Sequence, residues 1–188
     1  MNKIQIIQEE LSEKLEKNRY NHTLGVMYTA AALAMKEKIS IEEAMLAGLL
    51  HDCAKTMKVK EQYKKCELYG IELTETEQQN GALIHAKLGA YLASTVYEVK
   101  NNAIQDAIAH HTTGVPGMST LEKIIYVADY IEPNRKLPKV DELRELAFNN
   151  LDAALYMQLE LSIEHLEHEN KVIDPMTKST YEFYKERT

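Results

Sequence analysis

The chain has 188 residues, with 22 Lys and Arg against 29 Asp and Glu and a formal net charge of -7, an acidic balance that argues against a general nucleic-acid binder. At 45% hydrophobic and 27% charged residues it has an ordinary globular composition and buries roughly 70% of its unfolded surface, which makes one domain over residues 1–188 the expectation. The first residues turn acidic at Glu9-Glu10, no run approaches ~18 consecutive apolar residues, and Cys53 and Cys66 have no Cys-x-x-Cys spacing, which excludes secretory and membrane readings and points to a reducing cytoplasm.

In chain order, Ile4, Ile7, Leu11 and Leu15 recur at helical steps and predict a first helix that ends near Asn18. Ser40-Ile41-Glu42-Glu43, Thr74-Glu75-Thr76-Glu77 and Ser119-Thr120-Leu121-Glu122 each place Glu three residues after a hydroxyl, the capping-box pattern that satisfies two amide donors at a helix start. Gly70, Gly114 and Pro133 are the stops, and Asp174-Pro175 opens a terminal helix with a cap and a first-turn proline. No segment alternates with period 2 and no repeat recurs. The reading is therefore an all-α bundle of about eight helices, with a loop from Pro133 to Pro138.

With seven His and no Trp, the chemistry is sought in the histidines. The apolar run Met45 to Leu50 delivers His51, Asp52 and then Lys55. Alone, a His-Asp pair equally well caps a helix end. His22, His85, His110 and Asp129, however, each fall on a different predicted helix. His85 follows Gly81-Ala82-Leu83-Ile84, His110 follows Ala107-Ile108-Ala109, and Asp129 follows Ile124-Ile125-Tyr126-Val127-Ala128. A carboxylate in such surroundings is costly unless it is paired or bound to a cation. Imidazole and carboxylate together suit iron, manganese, cobalt or zinc, and facing helices of a bundle can project them into one interior site. Four His and two Asp exceed one tetrahedral zinc but fit two octahedral ions if Asp52 bridges them.

Arg19-Tyr20-Asn21-His22-Thr23-Leu24-Gly25, His51-Asp52-Cys53-Ala54-Lys55, His85, His110-His111-Thr112-Thr113-Gly114 and Ala128-Asp129-Tyr130-Ile131-Glu132-Pro133-Asn134-Arg135 together resemble the HD-domain metal-dependent phosphohydrolases, and among these the YqeK-type symmetrical bis(5'-nucleosyl)-tetraphosphatases. The resemblance covers nearly the whole chain. It implies an all-α fold, two divalent ions of which iron is the first candidate, and hydrolysis of diadenosine tetraphosphate to two ADP by metal-activated hydroxide. Carried over, it puts His22, His51, Asp52 and Asp129 around one ion and His85, His110 and the shared Asp52 around the other.

Further candidates concern the substrate. Lys55, four residues beyond His51, faces the metals if the helical turn persists, and can neutralise a phosphate oxygen in the reaction. Arg19 lies one turn before His22 and Arg135 in the loop after Pro133, where either fork can hold a phosphate. His111 turns about 100° away from His110 and can donate to a phosphate or to the leaving group. His165 and His168, among acids at a helix end, and the two cysteines are read as surface and core residues respectively. The partner expected is a dinucleoside polyphosphate or other nucleotide, with neither nucleic acid nor membrane, and the reading leaves a homodimer open. Other classes compatible with the pattern are hydrolysis of a deoxynucleoside triphosphate, guanosine polyphosphate or cyclic nucleotide, a di-iron oxygenase, and a non-enzymatic nucleotide sensor whose metal only stabilises the fold.

Overall fold

A computed structural model of the chain describes residues 2–187. Among them are eleven α-helices, one 3-10 turn and no strand. The all-α expectation therefore holds, while the helix number exceeds eight for identifiable reasons. The first helix, α1 (Lys3–Lys14), buries Ile4, Ile7 and Leu11 as the periodicity implies, but it ends before Leu15. Leu15 (ψ 146°) and Glu16 (ψ 145°) are extended, and α2 (Lys17–Glu37) begins after them. Nothing in Leu15-Glu16-Lys17-Asn18 forbids a helix, so this break carries no local signal.

The capping residues mark real starts. Ser40 accepts the Glu43 amide at 3.2 Å and opens α3 (Ile41–Leu50). Full reciprocal boxes at Thr74 and Ser119 open α5 (Glu75–Gln79), only five residues long, and α8 (Thr120–Ile131). Between α3 and α5 lie the 3-10 turn (Cys53–Thr56) and α4 (Val59–Leu68), after which Gly70 takes φ +66°. Between α5 and α8 lie α6 (Ile84–Thr95) and α7 (Asn102–His110). Beyond α8, the extended Asn150 caps with its side chain the Ala153 amide at 3.1 Å and divides α9 (Val140–Asn149) from α10 (Leu151–His168), another break without Gly or Pro. Asp174-Pro175 opens α11 (Pro175–Lys185) as expected.

The most extensive helix contact is that of α2 with α3. Ala30, Ala34, Ala44 and Ala47 are fully buried on the two helices, and a Cβ at Gly48 would sit 2.9 Å from Met27 Cα. α8 packs on α2 and α7, α7 on α3 and α6, and α6 on the 3-10 turn. Five helices and the 3-10 turn thus converge on one interior region, while α9 and α10 lie on α8 and α11 lies on α10. Buried apolar residues from Ile4 to Tyr184 form one cluster, with Leu33, Leu49, Ile108, Ile124 and Leu155 fully inaccessible. Among the described residues no helix is long and apolar enough to cross a membrane.

Candidate metal centre

Four imidazoles form a row through the region where these elements meet. The ring centroids of His22 and His51 are 5.3 Å apart, those of His51 and His111 5.1 Å, and those of His111 and His85 5.0 Å. His51, His85 and His111 each donate from Nδ1 to the carbonyl oxygen three residues earlier, Gly48, Ala82 and Ile108, at 2.7 Å in every case. That bond puts a proton on Nδ1, so that in the neutral ring Nε2 carries the lone pair. His22 reaches the same state differently, through Nδ1 to the Glu132 carboxylate at 3.2 Å.

Asp52 stands beside the row with its two oxygens facing different rings. Oδ2 lies 3.5 Å from His51 Nε2 and 3.9 Å from His22 Nε2, whereas Oδ1 lies 3.3 Å from His85 Nε2 and 3.7 Å from His111 Nε2. Asp129 adds Oδ1 at 3.0 Å from His22 Nε2 and 4.0 Å from His51 Nε2. Of the residues expected around an ion, His22, His51, Asp52, His85 and Asp129 are thus brought together. His110 is not; His111 occupies its place. His110 points to Glu122, Nδ1 to Oε1 at 2.6 Å, with a third of its side chain exposed, while His111 is 4% exposed. The reason is the stripe that α7 buries: Ile104, Ala107 and Ile108 continue at the helical interval to residue 111, not 110.

The donor set fits a divalent cation. His85 Nε2 and His111 Nε2 are 3.1 Å apart, and with both ring protons on Nδ1 two lone pairs face each other unless a cation or proton lies between them. Donors ~2.1 Å from a common ion at right angles are themselves about 3 Å apart, the spacing seen here. His22 Nε2, His51 Nε2 and Asp52 Oδ1 are buried without a well-aligned hydrogen bond, the condition a bound ion relieves. His22, His51 and Asp129 form one set of mutually close donors, and His51, Asp52 and His111 another. Burial lowers the His85 pKa to about 4, with His111 and Lys55 adding to the effect against its contact with Asp52, so the ring is a neutral donor at neutral pH. Burial works to raise Asp52, but the neighbouring His51, His111 and His85 outweigh it and hold the carboxyl well below the usual range. Asp129 is likewise lowered, burial being outweighed by contact with His22, by His51 and by Arg135.

Three cations surround the donors. Arg19 Nη1 lies 2.8 Å from Asp52 Oδ2, Lys55 Nζ lies 2.9 Å from Asp52 Oδ1, and Arg135 binds both the Asp129 carbonyl, at 2.8 Å, and its carboxylate. Arg19, with Glu16, lines two clefts: one of about 450 Å³ at the His22 end, bordered by Asn21, Asn134 and Arg135, and one of about 700 Å³ at the His85 end, bordered by Lys55, Met57, Gln62 and Gly81. No sequence motif gives Glu16 or Glu132 a role in the site, and the capping box accounts for only half of what Glu122 does, since it also holds His110. Burial, with Asp52, pushes the Cys53 thiol up to about 12, so it is an inert core group. His168 is 86% exposed at the end of α10.

Residues 19–134 match the HD domain, the span that contains every residue of the row. The chain belongs to the HD-domain family. It is 41% identical over 171 residues to a protein of Bacillus subtilis named symmetrical bis(5'-nucleosyl)-tetraphosphatase, covering 91% of each chain. A protein of the same name from Halalkalibacterium halodurans is 37% identical, with 95% of this chain and 92% of that one covered. Among solved structures, a predicted HD superfamily hydrolase involved in NAD metabolism from Clostridium acetobutylicum superposes with a TM-score of 0.94 at 38% identity, covering 98% of this chain and 97% of that one.

Proposed function

We propose that this protein is a metal-dependent phosphohydrolase that cleaves diadenosine tetraphosphate at its central bridge to give two ADP, with residues 1–188 acting as one domain. The names of the relatives support the substrate, and the single cluster of buried apolar residues supports the domain reading. The observation that carries the chemistry is Asp52, whose two oxygens face two different histidine pairs. In this reading His22, His51, Asp52 and Asp129 would hold one divalent ion, and His85, His111 and the shared Asp52 a second. Iron is the first candidate, and manganese, cobalt and zinc suit the same nitrogen and oxygen donors. Bound there, such ions lower the pKa of water toward neutrality and polarise phosphoryl oxygens for in-line displacement.

The side chains supply the rest. Lys55 offers a charge to the phosphoryl oxygens as negative charge develops. Arg19, common to both clefts, and Arg135, on the loop after Pro133, grip phosphates on either side of the reacting bridge. The two clefts take the two halves of the substrate, the more polar at the His22 end and the one containing Met57 and Gly81 at the His85 end. Holding adjacent phosphates this way fixes the distance from nucleoside to reaction centre and so selects the central bridge. His111, buried with its Nδ1 committed to Ile108, serves as a ligand rather than as a proton donor to the leaving group.

The test is anaerobic purification, metal quantification and assay of diadenosine tetraphosphate in water enriched in heavy oxygen. ADP alone should appear, with label in the terminal phosphate of half of it. Equal ATP and AMP from the earliest time point would overturn central cleavage. Because the Clostridium acetobutylicum relative is named for NAD metabolism, NAD belongs in the substrate panel. Turnover of NAD in preference to the tetraphosphate would favour that second reading.

A further inference from the structure

Three rings in the row are held by local backbone carbonyls, but His22 is held from 110 residues away by a buried carboxylate. Its position explains the difference. His22 lies inside α2, where the carbonyl a turn earlier already serves the helix, whereas His51 and His111 follow the last turn of their helices and His85 opens one. Glu132 caps the C-terminus of α8 and is 1% exposed. Its Oε1 faces His22 Nδ1, and its Oε2 accepts from the Asn134 backbone and side-chain amides at 2.8 and 3.0 Å.

No lysine or arginine among the described residues pairs with this carboxylate; its ion-pair contact is with His22 alone. A buried carboxylate without a cation is costly. The cost falls if the ring it holds carries positive charge on its far side, as an imidazole bound through Nε2 to a divalent ion does.

Gly25 completes the arrangement. It lies one turn beyond His22 on α2, and a Cβ there would stand 2.3 Å from Glu132 Oε2 and 3.0 Å from its Cδ. Glycine in a helix interior sacrifices helix propensity, and here its missing side chain is the space the carboxylate occupies.

We propose that Glu132 is a positioning residue that fixes the tautomer and direction of the His22 ring and raises its basicity toward a divalent ion, and that Gly25 is the gap through which it reaches. This rests on the metal-binding reading above. A carboxylate behind a ligating histidine both orients the ring and strengthens it as a donor, and its loss typically costs about 10–100-fold in metal affinity or activity.

The experiment is calorimetric titration of metal-free protein with manganese(II), alongside thermal melts of the same samples, for wild type, Glu132→Gln, Gly25→Ala, Glu132→Ala and the Gly25→Ala/Glu132→Ala double variant. Glutamine keeps the shape and an acceptor oxygen but not the charge. Glu132→Gln should therefore melt close to wild type before metal is added and bind manganese roughly 10-fold or more weakly at the His22 position. Gly25→Ala should weaken binding to a similar degree when Glu132 is present, and should add nothing in the Glu132→Ala background, where the obstructed carboxylate is gone. Wild-type affinity in both Glu132→Gln and Gly25→Ala, or an equal Gly25→Ala effect in both backgrounds, would overturn the inference while leaving the metal site in place. A wild-type protein that binds no divalent ion would overturn both.

Discussion

Replacing Asp52 by asparagine removes one charge from two faces of the site at once. The carboxylate is 1% exposed, with Arg19 at 2.8 Å on one oxygen and Lys55 at 2.9 Å on the other. A close contact between charged groups contributes up to ~1.5–3 kcal/mol, but 39% of the Arg19 side chain and 30% of that of Lys55 are in water, which screens about half of each contribution. The metal-free variant should therefore lose about 1.5–3 kcal/mol. For a chain of this size each kcal/mol moves the melting temperature by ~2–4 °C, so scanning calorimetry should read a fall of roughly 3–12 °C. The effect on metal is the sharper readout. With Oδ2 toward His22 and His51 and Oδ1 toward His85 and His111, the substitution should weaken both ions, by more than the ~10–100-fold that loss of a supporting partner costs. Dialysis followed by elemental analysis measures this. A variant that keeps one ion per chain at full occupancy would refute the shared role of Asp52, because an aspartate serving a single ion leaves the other intact.

Lys55→Ala should retain its metal but lose on the order of 10²-fold in turnover, and near-normal turnover at full loading would return Lys55 to a purely structural pairing with Asp52. Alanine at His111 should reduce metal occupancy and alanine at His110 should not, as elemental analysis of the two variants will show; equal loss in both would contradict the separation of the adjacent rings. The metal-free protein should lose stability as pH falls from 6.5 toward 4. Because the His85 pKa is lowered to about 4 in the fold, the unfolded chain binds a proton across that window that the folded chain does not, so stability rises with pH by ~3 kcal/mol. Below that window Asp52 and Asp129, both held low, lose their contribution as they protonate, and urea melts that stay flat between pH 7 and 4.5 would contradict the His85 assignment. Gly48→Ala should cost about 1–3 kcal/mol through the clash with Met27 Cα, read as a lower urea midpoint.

Most of the site was legible because its residues sit where their chemistry is out of place. Asp129 after five apolar residues, and His51-Asp52 at the end of another apolar run, stand out in the sequence alone. The His110-His111 pair was harder, since either ring satisfies the motif and only the phase of the α7 stripe separates them. Ile104, Ala107 and Ile108 were visible, and extending their spacing to residue 111 would have made the choice. Glu132 was hidden in a different way. Its burial depends on a glycine 107 positions earlier in the chain and on the packing of α8 against α2, a long-range fact with no local pattern. The same distinction runs through the fold: capping side chains, Asn150 among them, mark helix starts through local hydrogen bonds, whereas the break at Leu15 occurs in a segment that could continue as helix.

The close approach of α2 and α3 carries a consequence for how this protein tolerates change. His22 and His51 sit on or beside two helices whose approach leaves no room for a Cβ at Gly48 and on which Ala30, Ala34, Ala44 and Ala47 are fully buried, residues with no functional groups of their own. In a saturating mutational scan these positions should behave like the site rather than like core. An added methyl group widens the gap between the two rings, so catalytic competence should fall further at these substitutions than the accompanying loss of stability accounts for. An engineer seeking to raise thermal tolerance would do better among the outer faces of α9 to α11, where side-chain volume is not coupled to the spacing of the imidazoles.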